Sequence, residues 1–142
     1  MSSDRELPAG FVVDEQIKAA MLAYTLENKL TCALAHSLAR EYQVSPAVIG
    51  HTADAMHIRL SQCQLGLFGY PGKQGWHATN VANLPEPAAF VSALQEETSN
   101  NQTIDCLSLW NLAATYHVAR MQAGYLADKL GIRIIHCQIG AF

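Results

Sequence analysis

Charged side chains are scarce in this sequence, and long apolar stretches are absent. Only 15% of the 142 residues are Asp, Glu, Lys or Arg, against about a quarter in typical soluble domains, and the formal net charge is −3. With 50% apolar residues, this composition excludes a disordered chain. The acidic balance excludes a strongly basic nucleic-acid coat protein. No apolar run approaches the roughly 18 residues that a membrane span needs, so no membrane contact is expected.

The sequence also lacks the motifs that are typical of the common enzyme classes. The sequence has no Gly-x-Ser-x-Gly elbow, no zinc-protease motif and no paired-carboxylate signature. Residues 69–75 are rich in glycine but lack the spacing of a phosphate-binding loop, and we interpret them as a linker. We therefore expect a protein that is not an enzyme.

The first ten residues are polar and carry three charges, unlike the apolar core of a secretory signal peptide. We expect residues 1–10 to be a flexible N-terminus of a cytoplasmic protein.

An internal repeat is the strongest signal in the sequence. Residues 32–68 align without gaps with residues 106–142, and 14 of the 37 positions are identical. This similarity predicts a duplication. We expect one repeat unit over residues 11–70, a linker over residues 71–85 and a second unit over residues 86–142.

Each unit is predicted to contain three helices followed by a short strand or extended arm. The first unit would have helices over residues 13–30, 32–42 and 46–57, then a strand over residues 58–65. Asp14, Thr31 and Ser45 would cap these helices. The second unit would have an opening helix from Pro87 capped by Glu86, a helix beginning after Asp105, a third helix over residues 119–130, and a strand over residues 132–139.

The second and third helices of each unit resemble a helix-turn-helix. The residues that carry the resemblance are Leu38-Ala39-x-x-Tyr42-x-Val44 in the first copy and Leu112-Ala113-x-x-Tyr116-x-Val118 in the second. A small Ala permits close helix crossing, and Val fills the turn. The position that is often Gly is Gln43 in one copy and His117 in the other. The following arm favours the winged variety, although a wing needs a hairpin.

This resemblance implies a mainly α fold of two tandem helix-turn-helix-like units. The repeated pattern is also similar to one in small bacterial proteins, and that similarity implies no activity.

DNA binding is one function that the resemblance implies. In such folds the third helix lies in the major groove and contacts base edges. The first copy has no Arg or Lys there, whereas the second is more suitable because residues 106–142 carry a net charge of +2. The candidate DNA contacts are Arg120, Gln122, Tyr125 and Lys129.

Protein interaction is the alternative function, with the two units packing on each other, in a homodimer, or on another protein. Both copies end in Cys-Gln-x-Gly-x-Phe, and both keep an Arg five residues after an Asp. We expect these strands to pair with their counterparts. The candidate ligand or partner contacts are Gln64, Gln138, Arg59 and Arg133.

The four cysteines admit two interpretations. As thiols in a reducing compartment they would be small buried residues. Alternatively they would gather into a redox pair or a zinc site, since zinc accepts four sulfur ligands. No Cys-x-x-Cys occurs, and no histidine follows the repeat. The candidate metal or redox residues are Cys32, Cys63, Cys106 and Cys137.

Overall fold

The protein is mainly helical in a computed structural model, which describes residues 7–72 and 74–142 with the side chain of Ala78 excepted. The predicted mainly α fold is confirmed. The first half contains α1 (Glu15–Tyr24), β1 (Lys29–Thr31), α2 (Cys32–Glu41), α3 (Pro46–Ala55) and β2 (Arg59–Ser61). The second half contains α4 (Trp76–Thr79), a 3-10 turn (Val81–Asn83), α5 (Ala88–Glu97), β3 (Thr103–Asp105), α6 (Cys106–Thr115), α7 (Arg120–Lys129) and β4 (Arg133–Ile135).

The elements recur in the same order and at the same spacing in both halves. Apart from the opening helices, each helix or strand of the first half has its counterpart 74 residues later. Gln43 and His117, at the turn between the second and third helices, both adopt left-handed φ values of 55° and 57°. The turn therefore has the left-handed residue for which glycine is favoured, although neither copy has glycine there.

Two of the predicted helix caps are confirmed. The Asp14 carboxylate accepts hydrogen bonds from the backbone N–H groups of Gln16 and Ile17, at 2.8 and 3.3 Å. The Thr31 hydroxyl accepts one from Leu34 N–H at 3.2 Å. Ser45 and Asp105 occupy N-cap positions without side-chain capping bonds.

The prediction that Glu86 caps the fifth helix is wrong, because Pro87, with an extended backbone, is itself the N-cap residue of α5. The predicted linker also has more structure than a loop, since it contains α4 and the 3-10 turn with Trp76 and Val81 buried.

The predicted helix over residues 13–30 is wrong beyond Tyr24. The backbone is already extended at Thr25, which ends the helix. Glu27 and Asn28 then adopt left-handed φ values of 51° and 62° and turn the chain into β1. The predicted pairing of each strand with its counterpart is also wrong. β2 pairs in parallel with β1, and β4 pairs in parallel with β3, so neither forms the antiparallel hairpin of a wing.

The described chain forms two compact units whose boundaries differ from those of the repeats. Unit 1 contains Met1–Cys63 and Gln138–Phe142, and unit 2 contains Gln64–Cys137. Of the predicted flexible N-terminus, residues 1–6 lie outside the described residues. Residues 64–68, which end the first aligned repeat, thus belong to unit 2 together with α7. Residues 138–142, which end the second aligned repeat, belong to unit 1 together with α3.

A glycine in each third helix permits this arrangement. A methyl group added at Gly50 of α3 would overlap the carbonyl oxygen of Ile139, within unit 1. A methyl group added at Gly124 of α7 would overlap the carbonyl oxygen of Leu65, within unit 2. The side chains of Leu65 and Ile139 are both buried, so each unit closes its core with a turn that lies directly on a helix backbone.

We predict that Gly50→Ala and Gly124→Ala each lower the free energy of unfolding by about 1–3 kcal/mol, the cost of overpacking a filled core. This destabilisation is opposite to the effect of helix propensity, which favours Ala over Gly by about 1 kcal/mol. Denaturant unfolding followed by circular dichroism measures the change. Gly72→Ala is the control: a methyl group there meets nothing within 4 Å, and only the strain of its φ of +78° applies. Stabilisation by either helix substitution would contradict the described packing.

Candidate functional site

The four predicted DNA contacts all lie on α7, and each contacts the connecting segment (residues 64–86) that precedes it in unit 2. Arg120 Nη1 donates a hydrogen bond to Gln64 Oε1 at 2.8 Å. Its guanidinium carbon also lies 3.6 Å from the centre of the Trp110 ring, a cation–π contact. The arginine that seemed best suited to contact a base is therefore held between two side chains of its own unit.

The other three candidates have equally specific partners. Gln122, only 9% exposed, donates from Nε2 to the Pro85 carbonyl at 3.0 Å. The Tyr125 ring meets Trp76 edge-on, with ring centres 6.0 Å apart. Lys129 forms an exposed salt bridge with Glu86, whose hydrogen bond and negative charge raise the pKa of Lys129. Base contacts by these residues would require these interactions to break.

The equivalent helix of unit 1 offers still less to DNA. None of the ten residues of α3 is fully exposed, and the ionisable side chains on it are His51 and Asp54. The His51 ring is half-buried, with the edge of Phe11 against it at 5.4 Å between ring centres. A helix without Lys or Arg cannot neutralise phosphates, which supply most of the affinity for DNA.

The cysteines are not assembled into a metal centre. Cys32, Cys63 and Cys106 are buried and Cys137 is half-buried. Over the ranges 7–72 and 74–142, no three His, Cys, Asp or Glu side chains are grouped so that they could hold a metal ion. The zinc interpretation thus gains no support, whereas the burial is what small apolar residues would show.

The predicted partner residues are divided between the units. Arg59 and Gln138 lie in unit 1, and Gln64 and Arg133 lie in unit 2. Gln64 contacts Arg120, Gln138 is half-buried, and the two arginines are exposed at the first positions of β2 and β4. Of these four residues, the arginines are the ones whose side chains are fully presented to solvent.

A polar cavity of about 380 Å³ in unit 2 was not expected from the sequence. It lies where β3 and β4 end and α6 begins, and Asp105, His136 and Ser108 are among its lining residues. The opening helix contributes Glu97, and the turn after it contributes Asn100 and Asn101. The run of polar residues over 95–105 is the sequence signal that could have indicated it.

Exposed apolar side chains mark the end of α1. Ile17, Met21, Tyr24 and Leu26 sit largely on helical spacing in the sequence. Ile17 and Met21 are buried, but Tyr24 is 47% and Leu26 76% exposed, because the helix ends at Tyr24. Leu22 is also exposed. In the second copy, Phe90 and Leu94 fill the buried positions of Ile17 and Met21, so Gln95 stands at the position of Leu22. The turn that follows is polar over residues 99–102, so this apolar surface exists in one repeat alone.

Two cations lie directly beside Leu26. The backbones of Leu26 and Lys29 exchange two hydrogen bonds, of 3.0 and 2.9 Å. Lys29 is in turn the register partner of Arg59 on β2, and both side chains are exposed. Neighbouring strands lie about 4.8 Å apart, so like charges at paired positions repel. At the same register the second copy has Thr103 opposite Arg133, with one cation instead of two.

We call this region the α1–β1 turn surface, and it is the candidate functional site. It combines three exposed apolar side chains with two exposed cations at paired strand positions. Its members are Leu22, Tyr24, Leu26, Lys29 and Arg59.

Comparison of the chain with protein-family models, with curated proteins and with solved structures finds no match. No helix within the described residues is both long and apolar enough to cross a bilayer.

We predict that Gln122→Ala lowers the free energy of unfolding by about 1 kcal/mol, because the nearly buried Gln122 amide loses its hydrogen bond to the Pro85 carbonyl. Gln95→Ala, at an exposed position of α5, is the control and should change stability by less than about 0.5 kcal/mol. Thermal or denaturant unfolding measures both. Equal stability of the two variants would indicate that Gln122 is not a structural residue.

We also predict that Lys29→Thr, which introduces the residue of the second copy, stabilises the protein by on the order of 0.5 kcal/mol at low salt. The reverse change, Thr103→Lys, places a second cation opposite Arg133 and should destabilise it by a similar amount. Both effects should shrink in 1 M salt, where charges are screened. Salt-independent effects would exclude charge repulsion as their cause.

Proposed function

We propose that the protein is a non-enzymatic binding module that contacts another protein through the α1–β1 turn surface. The observation that carries the proposal is the register pairing of two exposed cations, Lys29 and Arg59, where Lys29 is bonded through its backbone to exposed Leu26. A carboxylate of a partner would relieve the repulsion between the two cations, while an apolar side chain of the partner would cover Leu26. The partner segment is therefore both acidic and apolar.

The comparison between the repeats supports this choice of surface. The two copies share their order of elements, yet the turn after the opening helix is polar over residues 99–102 in the second copy, and Thr103 stands where the first copy has Lys29. A structural requirement common to both repeats would act on both copies. The difference thus fits a binding role carried by the first repeat.

DNA binding through α7 is the competing hypothesis, and the contacts of its candidate residues weigh against it. Arg120, Gln122 and Lys129 contact Gln64, Pro85 and Glu86 respectively. The chain also carries a net charge of −3. We assign the protein to the cytoplasm, where a reducing environment keeps cysteines as thiols.

The proposal predicts that a photoreactive amino acid at position 26 labels a partner protein in cells, while the same group at position 100 does not. With the labelled partner purified, Leu26→Asn and Arg59→Ala should each weaken binding at least tenfold. The loss caused by Arg59→Ala should disappear in high salt, since it reflects an ion pair. Fluorescence anisotropy or calorimetry measures the affinities.

Arg133→Ala is the matched control, because it removes the arginine at the same register of the second repeat, and binding should not change. Equal labelling from positions 26 and 100 would contradict the proposal. So would salt-dependent binding of double-stranded DNA that Arg120→Ala weakens, since that result would favour α7 as the binding surface.

A further inference from the structure

Each unit holds a five-residue segment, here called an arm, against its third helix, and each arm turns at a glycine with positive φ, Gly66 or Gly140. The first arm (residues 64–68) lies in unit 2 and the second arm (residues 138–142) lies in unit 1. In unit 1, Ile139 and Ala141 are almost completely buried, and the Ile139 carbonyl lies against the backbone of Gly50. We call the surface of α3 around Gly50 the glycine groove.

The same pairing of arm and helix forms twice, by different paths of the chain. The first arm contacts Gly124, which comes much later in the sequence, and the second arm contacts Gly50, which comes much earlier. The arms have matching sequences, Gln-Leu-Gly-Leu-Phe and Gln-Ile-Gly-Ala-Phe. Recognition therefore depends on the chemistry of the arm and on the bare backbone of the glycine, and it does not depend on one covalent connection.

We propose that the glycine groove is an interaction site for a second copy of this chain, which supplies its own second arm. In the resulting dimer, the arm of each copy lies on α3 of the other. Arm exchange keeps every contact of the closed form, so it costs little beyond the loss of translational and rotational freedom. The balance between closed monomer and exchanged dimer is then set by protein concentration.

The connection between β4 and the second arm suits such an exchange. His136 is exposed and has a left-handed φ of 52°, and only Cys137 separates it from the arm. Rotation at these two residues redirects the arm while β4 remains paired with β3. The first arm is held more firmly, because the Trp76 indole donates a buried hydrogen bond of 3.0 Å to the Leu65 carbonyl.

The test uses two full-length variants that are defective in complementary ways. Gly50→Ala closes the groove but leaves the arm intact, and Ala favours the helical backbone, so α3 should persist. Ile139→Asp places a charge at the buried position of the arm and leaves the glycine groove unchanged. Each variant alone should sediment as a monomer, whereas their equimolar mixture should form a 1:1 heterodimer. A chain with both substitutions should associate with neither variant.

Binding of a peptide with the arm sequence tests the proposal without relying on association between two variants. The peptide Gln-Ile-Gly-Ala-Phe should bind the Ile139→Asp chain, and Gln-Asp-Gly-Ala-Phe should bind at least tenfold more weakly. Adding Gly50→Ala to that chain should abolish binding. Circular dichroism confirms that each variant is folded.

Two results would overturn the proposal. One is a mixture that stays monomeric together with a peptide that does not bind. The other is a wild-type dimer that dissociates on Leu26→Asn but persists in both the groove and the arm variants, since that dimer would form through the α1–β1 turn surface instead.

Discussion

The carbonyl oxygens of Leu65 and Ile139 lie against the backbones of Gly124 and Gly50, closer than any side chain would permit. Backbone contact with a helix in the core is possible only where the helix presents no Cβ atom. The side chains of Leu65 and Ile139, which occupy equivalent positions in the two arms, are both buried. The face of each third helix that carries the glycine is therefore covered by the arm.

The constraint bears directly on nucleic-acid recognition. A recognition helix must present a polar face to the major groove. Here α3 has no fully exposed residue, and the polar side chains of α7 hold the connecting segment through Gln64, Pro85 and Glu86. In each unit, the third helix of the helix-turn-helix-like arrangement therefore packs against another segment of the same unit. The repeats diverge at the turn after the opening helix, which exposes Leu26 and Lys29 in the first copy and is uncharged and polar over residues 99–103 in the second.

Local signals in the sequence predicted much of this fold. The caps at Asp14 and Thr31 and the extents of the second and third helices follow from residue preferences that act over a few positions. The end of α1 did not, because no Gly or Pro marks it: Glu27 and Asn28 take left-handed conformations, and β1 forms only by pairing with β2, some 30 residues away. The partners of the arms were also beyond prediction, although the identity of Gly50 and Gly124 in the repeat was a visible signal of close backbone approach.

Nuclear Overhauser effects in isotopically labelled protein test the central claim most directly. The account predicts contacts between the α-protons of Gly50 and the side chain of Ile139, and matching contacts between Gly124 and Leu65. It also predicts side-chain shifts in both arms that differ from those of an unstructured peptide. Random-coil shifts in residues 138–142, with no contact to Gly50 at any protein concentration, would contradict it.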